Sequence, residues 1–235
     1  MKRYVIGMMA ILLFLAVTGC GRLDITVRDD GSGEANYTGE LAGKVTARDI
    51  RGEIEKQIEK ANKNAGGEVI RLDRFEEKDG KMSAKVKFDR ISALGGTDDS
   101  LLVTVDDLKR IYPDRIRELT DVKNRSAIGP ETIAKIGDKP VLYLDDLDDD
   151  MEITVTVPGK IVYASGGTVS EQNSRSLLAN DDRVVIVYDP SNGMSAAVWL
   201  VVLAVVAIVL FVLYRIGLFD NIMSGRKGGG IPNAQ

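Results

Sequence analysis

Lys78-Asp79-Gly80-Lys81-Met82-Ser83-Ala84-Lys85-Val86-Lys87-Phe88 is the stretch on which the fold turns. Met82, Ala84, Val86 and Phe88 alternate with Ser83, Lys85 and Lys87. A period of two sends every apolar side chain to one face of a strand and every polar one to the other. Asp-Gly ahead of such a run signals a tight hairpin, because both central turn positions need a positive φ that these two residues tolerate. Val69 to Phe75 is then the partner strand. Upstream lies a helix: Ala47, Ile50, Ile54, Ile58 and Ala61 recur at intervals of three and four, with Arg51, Glu53, Glu55, Lys56 and Glu59 between them. Thr46 and Asp49 are placed to form a capping box, and Gly66-Gly67 ends the helix. Further upstream, Leu23, Ile25 and Val27 alternate with Asp24, Thr26 and Arg28; Asp30-Gly31-Ser32-Gly33 turns the chain, and Ala35 to Leu41 returns.

These elements make a ββαββ unit over residues 23–88. The fold class it implies is α+β and two-layer, with antiparallel β-hairpins under one main amphipathic helix. Beyond it, Leu101 to Val105 reads as a strand, while Pro113 and Gly129-Pro130 punctuate short elements. Val141 to Leu144 and Met151 to Val157 read as a hairpin across Asp145-Asp146-Leu147-Asp148-Asp149-Asp150. Pro158-Gly159 ends the second of these, and Ile161-Val162-Tyr163 and Val184 to Tyr188 are two more strands. No long repeat and no linker interrupts the region, so residues 20–193 are expected to form one domain.

Both flanks are apolar. Lys2 and Arg3 precede an uncharged run from Tyr4 to Val17, which leads into Val17-Thr18-Gly19-Cys20. A basic start, a short apolar run and small residues before a junction describe a secretory signal over residues 1–19. An uncleaved anchor would want about 20 apolar residues. Met194 to Tyr214 carries no charge and no proline, and as a helix at about 1.5 Å per residue it is about 31 Å long, close to the hydrocarbon thickness of a bilayer. Trp199 and Tyr214 lie near its two ends, where aromatic rings favour the headgroups. The expectation is a single C-terminal transmembrane helix over 194–214. Arg215, Arg226 and Lys227 follow it, whereas Asp181, Asp182, Arg183 and Asp189 precede it. Positive residues stay inside, so the tail 215–235 is expected in the cytoplasm and the domain outside a cell membrane that the chain crosses once.

Val17-Thr18-Gly19-Cys20 resembles the lipobox of bacterial prolipoproteins, a resemblance that implies lipidation of Cys20 once the leader is removed. Cys20 is followed almost at once by a strand, Asp30-Gly31-Ser32-Gly33 and Tyr37. Later come Ile153-Thr154-Val155-Thr156-Val157-Pro158-Gly159-Lys160-Ile161-Val162, Gly166-Gly167 and one span. Together these features resemble the LppM-type family of bacterial envelope lipoproteins over most of the chain. The resemblance implies a mixed α/β fold and, as in some members, binding of lipid or glycolipid. It implies no catalytic residues.

Composition narrows the chemistry further. The chain has one cysteine and no histidine, which removes disulfides, histidine-based metal sites and Ser-His or Cys-His catalysis. Its net charge is −4, and the middle is more acidic than the whole because Lys2, Arg3, Arg215, Arg226 and Lys227 all lie in the flanks. An acidic domain is a poor partner for nucleic acid. Asp145, Asp146, Asp148, Asp149 and Asp150 are the weak candidates for a calcium site, but they lack the EF-hand spacing, its glycine and its distal glutamate. A solvated hairpin turn is the plainer expectation. Gly66-Gly67, Gly95-Gly96 and Gly166-Gly167 form no phosphate loop. No cofactor is expected. Three functions remain in order of preference: a non-catalytic module binding lipid or glycolipid, a structural or signalling partner of another membrane protein, and an envelope-polymer hydrolase.

Overall fold

The computed structural model describes residues 21–41, 46–95, 99–148 and 151–190. The leader 1–19, Cys20, Asp149, Asp150, the expected span 194–214 and the tail 215–235 lie outside them. Among the described residues no helix is long and apolar enough to cross a membrane.

The first half follows the order read from the sequence: β1 (Arg22–Val27), β2 (Gly33–Glu40), α1 (Ala47–Ala65), β3 (Ile70–Lys78) and β4 (Lys81–Phe88). Asp79 and Gly80 both have positive φ, 54° and 75°, as the Asp-Gly hairpin demands. Thr46 caps α1: its Oγ1 accepts from the Asp49 amide at 3.2 Å, and Asp49 Oδ2 accepts from the Thr46 amide at 3.1 Å. Gly66, at φ 73°, closes the helix. Ala47, Ile50, Ile54 and Ile58 form the buried face of α1, the stripe that the period of three and four picks out.

The second half adds α2 (Ser92–Gly95), β5 (Ser100–Thr104), α3 (Val105–Ile111), α4 (Pro113–Arg117), β6 (Thr120–Asp121), α5 (Pro130–Lys135) and β7 (Pro140–Leu144). It continues with β8 (Glu152–Thr156), β9 (Lys160–Ser165), β10 (Gly167–Val169), β11 (Ser176–Ala179) and β12 (Val184–Asp189). Two sheets result. One has seven strands in the order β10-β11-β8-β1-β2-β4-β3, the other five in the order β5-β7-β12-β9-β6. The α+β class holds, with sheet outweighing helix. The expected four-stranded antiparallel unit is present as β1-β2-β4-β3, but it is only part of a wider sheet. That sheet includes a parallel ladder, in which β1 pairs with β8 from Arg22 opposite Glu152 to Thr26 opposite Thr156.

The expected hairpin between residues 141–144 and 151–157 does not form. β7 belongs to the five-stranded sheet and β8 to the seven-stranded one, so the aspartate-rich segment joins two sheets. Burial explains the separation. Val141, Leu142, Tyr143 and Leu144 are all buried, the mark of a strand covered on both faces, whereas β8 keeps a strict alternation with Glu152 exposed and Thr154 and Thr156 half-buried. Val105 likewise leaves the strand expected there and begins α3, with Thr104 as its N-cap. Pro113 and Pro130 punctuate the chain by opening helices, where a missing N–H costs nothing.

Two hydrophobic clusters follow from this layering. The larger joins the inner face of the seven-stranded sheet (Leu23, Ile25, Tyr37, Val86, Val155) to Ile50 and Ile54 of α1 and to Leu142, Val184 and Ile186. The smaller lies on the other side of the five-stranded sheet, where Val141, Tyr143, Val185 and Val187 meet Val105, Leu108, Ile116 and Ile133 from the short helices. The second sheet and its helical cover are the part of the architecture that the two-layer expectation did not contain. Glycines mark the places where the chain changes sheet. A Cβ on Gly159 would lie 1.8 Å from the Asp189 carbonyl oxygen. Gly166 has φ 74°, and a Cβ there would lie 1.7 Å from the carbonyl oxygen of Arg183.

Candidate functional site

A concave surface runs along the C-terminal half of α1 where it crosses the outer strand β3. Glu55, Ile58, Glu59, Asn62 and Lys63 line it from the helix, and Glu68, Ile70, Arg71 and Leu72 from the strand. The helical residues share a face because they fall three and four apart. The groove has a volume of about 710 Å³, within the range of small-molecule sites. Its floor is apolar, built from Ile58, Ile70 and the half-buried Leu72. Carboxylates outnumber cations on its rim, Glu55, Glu59 and Glu68 against Lys63 and Arg71. Glu55 is held by Arg51 at 2.8 Å, and Arg71 lies 3.9 Å from Asp89.

Asn62 fixes the groove's geometry. Its Oδ1 accepts from the amides of Val69 and Ile70 at 2.8 and 3.0 Å, and its Nδ2 donates to the Ile70 carbonyl at 2.8 Å. One side-chain amide thus satisfies the backbone of an edge strand as a neighbouring strand would, and locks helix to sheet at that level. Nothing in the sequence separates Asn62 from Asn64 for this role. The pairing depends on where the chain returns after Gly66-Gly67.

The aspartate-rich segment behaves differently from a solvated turn. Asp145 accepts from the Tyr143 hydroxyl at 2.5 Å and from Arg183 Nε at 2.9 Å. Burial on its own would raise the Asp145 pKa, but the hydrogen bonds from Tyr143 and Arg183 outweigh it and hold the carboxyl below its usual range. Tyr143 moves the other way, pushed up first by burial and then by the adjacent carboxylate. Its ring packs against Tyr112 with centroids 5.2 Å apart. The trio ties the end of β7 to the residue preceding β12. Asp146 takes a positive φ of 60°, and Asp148 lines a separate cleft of about 310 Å³ with Asn180, Asp181 and Asp182. Among the described residues no three acidic side chains converge on a point where a metal ion would sit. Asp30-Gly31-Ser32-Gly33 is the turn expected of it: Asp30 Oδ1 accepts from the Ser32 amide at 2.9 Å and from its hydroxyl at 2.6 Å. Cys20, Asp149 and Asp150 lie outside the described residues.

Comparison of the chain with known protein families, with curated proteins and with solved structures finds no match.

Proposed function

We propose that this chain is a membrane-anchored lipoprotein, acylated at Cys20 and spanning the cell membrane over 194–214, whose extracytoplasmic domain is a non-catalytic module that binds a glycolipid. The groove along α1 and β3 carries the reading of the ligand. Its floor of Ile58, Ile70 and Leu72 suits an acyl chain, and its rim suits the head. With three carboxylates against two cations, the rim favours a hydroxyl-rich head, whose O–H groups donate to carboxylates, over a bare phosphate, which three negative charges would repel. The two apolar flanks of the sequence supply the anchoring part of the proposal.

Photocrosslinking tests it. Membranes containing the full chain are irradiated with a diazirine-bearing glycolipid, and adducts are mapped by peptide mass spectrometry. Adducts should concentrate in residues 55–72 and drop several-fold in Leu72→Glu, which puts a charge on the half-exposed floor. Adducts spread evenly over the domain, or unaffected by the substitution, would sink the assignment.

A further inference from the structure

Two sheets have four edges, and three of them are closed to further pairing. β3 is held by Asn62, broken by a register slip and charged along its second half. β10 is three residues long, and β6 is two, with Thr120 also bridged to Ala127. β5 is different. Ser100-Leu101-Leu102-Val103-Thr104 has no charge, proline or glycine, and it pairs with β7 without a register shift, from Ser100 opposite Leu144 to Thr104 opposite Pro140. An uncharged edge of regular register is a template for another strand.

Hydrogen bonds beyond the two ends of that ladder fix its phase. The Asp145 amide donates to the Asp99 carbonyl at 2.8 Å, and the Val105 amide donates to the Lys139 carbonyl at 3.0 Å. Bonded pairs alternate along an antiparallel ladder, so Leu101 and Val103 also turn their backbone groups toward β7. Ser100, Leu102 and Thr104 turn theirs off the edge, and Pro140 stands opposite Thr104, where no N–H is needed. Among the described residues none bonds to the backbone of Leu102 across that edge. Side chains alternate as well: Leu102 packs on the larger cluster, and Leu101 and Val103 on the smaller. All three are half-buried, so both clusters reach β5 with apolar surface still open.

We propose that β5 of a second copy of this chain pairs antiparallel with β5 across a two-fold axis at Leu102. The segment reads nearly alike in both directions about that residue. The pairing therefore sets Leu102 opposite its own counterpart, Leu101 opposite Val103 and Ser100 opposite Thr104. Leu102 exchanges N–H···O=C bonds with its counterpart, and each hydrophobic cluster continues across the seam. One patch is thereby complementary to itself, as an isologous interface requires, and the two five-stranded sheets become one. The pairing is independent of the glycolipid groove, which lies along β3.

Cysteine linking reads the register. Cα atoms directly opposite each other lie about 5.5 Å apart in a bonded pair and about 4.5 Å apart in an unbonded one, both within reach of a disulfide. The full chain in a Cys20→Ser background, which leaves no native thiol, is purified in a mild detergent and oxidised with copper phenanthroline. Leu102→Cys should link most of the chains into dimers. Leu101→Cys co-expressed with Val103→Cys should link several-fold more than either variant alone, because each faces the other and not itself. Leu102→Lys should sediment as a monomer where the parent sediments as a dimer, with a melting temperature within a few degrees of the parent's. If that variant unfolds, the cysteine results decide. A parent chain that sediments as a monomer would overturn the pairing. So would a dimer that Leu102→Cys fails to link or that a folded Leu102→Lys leaves intact, since its contact would lie elsewhere. Equal linking in the co-expressed and single variants would overturn the register, and with it the two-fold at Leu102.

Discussion

Asp145 shows how one residue's role depends on what the fold brings to it. In the sequence it opens a run of carboxylates and suggests solvent or a cation. In the structure, Arg183 and Tyr143 turn it into a partly buried tie between two strands of one sheet. Because its folded pKa is depressed, the stabilisation it contributes is present above the unfolded value of about 3.9 and is lost as the pH falls through the lower, folded value. Chemical denaturation between pH 7 and pH 2 should therefore show stability falling below about pH 4. Asp145→Asn should flatten part of that slope, and an unchanged slope would mean that the carboxylate stabilises nothing. Nothing near Asp145 in the sequence announces Arg183, which arrives only because β12 lands beside β7.

At the scale of elements, β3 is the exposed flank of the larger sheet and is defended accordingly. Asn62 occupies the backbone of Ile70, the register slips between Leu72 and Arg74, and the rest of the strand is charged at Arg74, Glu76, Glu77 and Lys78. Edges of this kind resist pairing with other chains. Asn62→Ala should cost about 1–3 kcal/mol, the penalty for orphaning buried backbone groups, and should raise light scattering on mild heating. A melting point and scattering equal to the parent's would remove Asn62 from that role. The elements up to Phe88 were legible because each pairs with a neighbour in sequence, so period and turn chemistry suffice. After Ser100 the strands themselves were legible, since β5, β7, β8, β9 and β12 fall where alternation or an apolar run placed them, but their partners were not, because β7 and β8 go to different sheets and β7 is apolar on both faces. A continuous apolar run says that a strand is covered, not by what. The groove was not read although both of its walls were: period and turn chemistry place helix and strand, but not the line along which α1 lies over β3 or the grip of Asn62 on Ile70.

For the whole molecule, the two attachments proposed above make separate demands on a mutant. Cys20→Ser should abolish labelling by a fatty-acid probe yet leave the chain in the membrane pellet, since a spanning helix holds far more firmly than one acyl chain. Recovery of that variant in the soluble fraction would remove the span from the account. External protease on intact cells should cleave the domain and spare the tail after Tyr214.

The burial of Gly21 also sets an order of events in time. Its carbonyl is already committed to Glu152, and a Cβ placed on it would meet the Tyr37 ring at 2.7 Å, so the segment just after Cys20 is sealed once β8 docks. A peptidase needs an extended, accessible strand on both sides of the bond it cuts. On the lipoprotein reading proposed above, maturation at Cys20 would have to be finished while residue 152 is still emerging or unfolded, which would make the parallel ladder a clock that starts after export and closes the window for modification behind it.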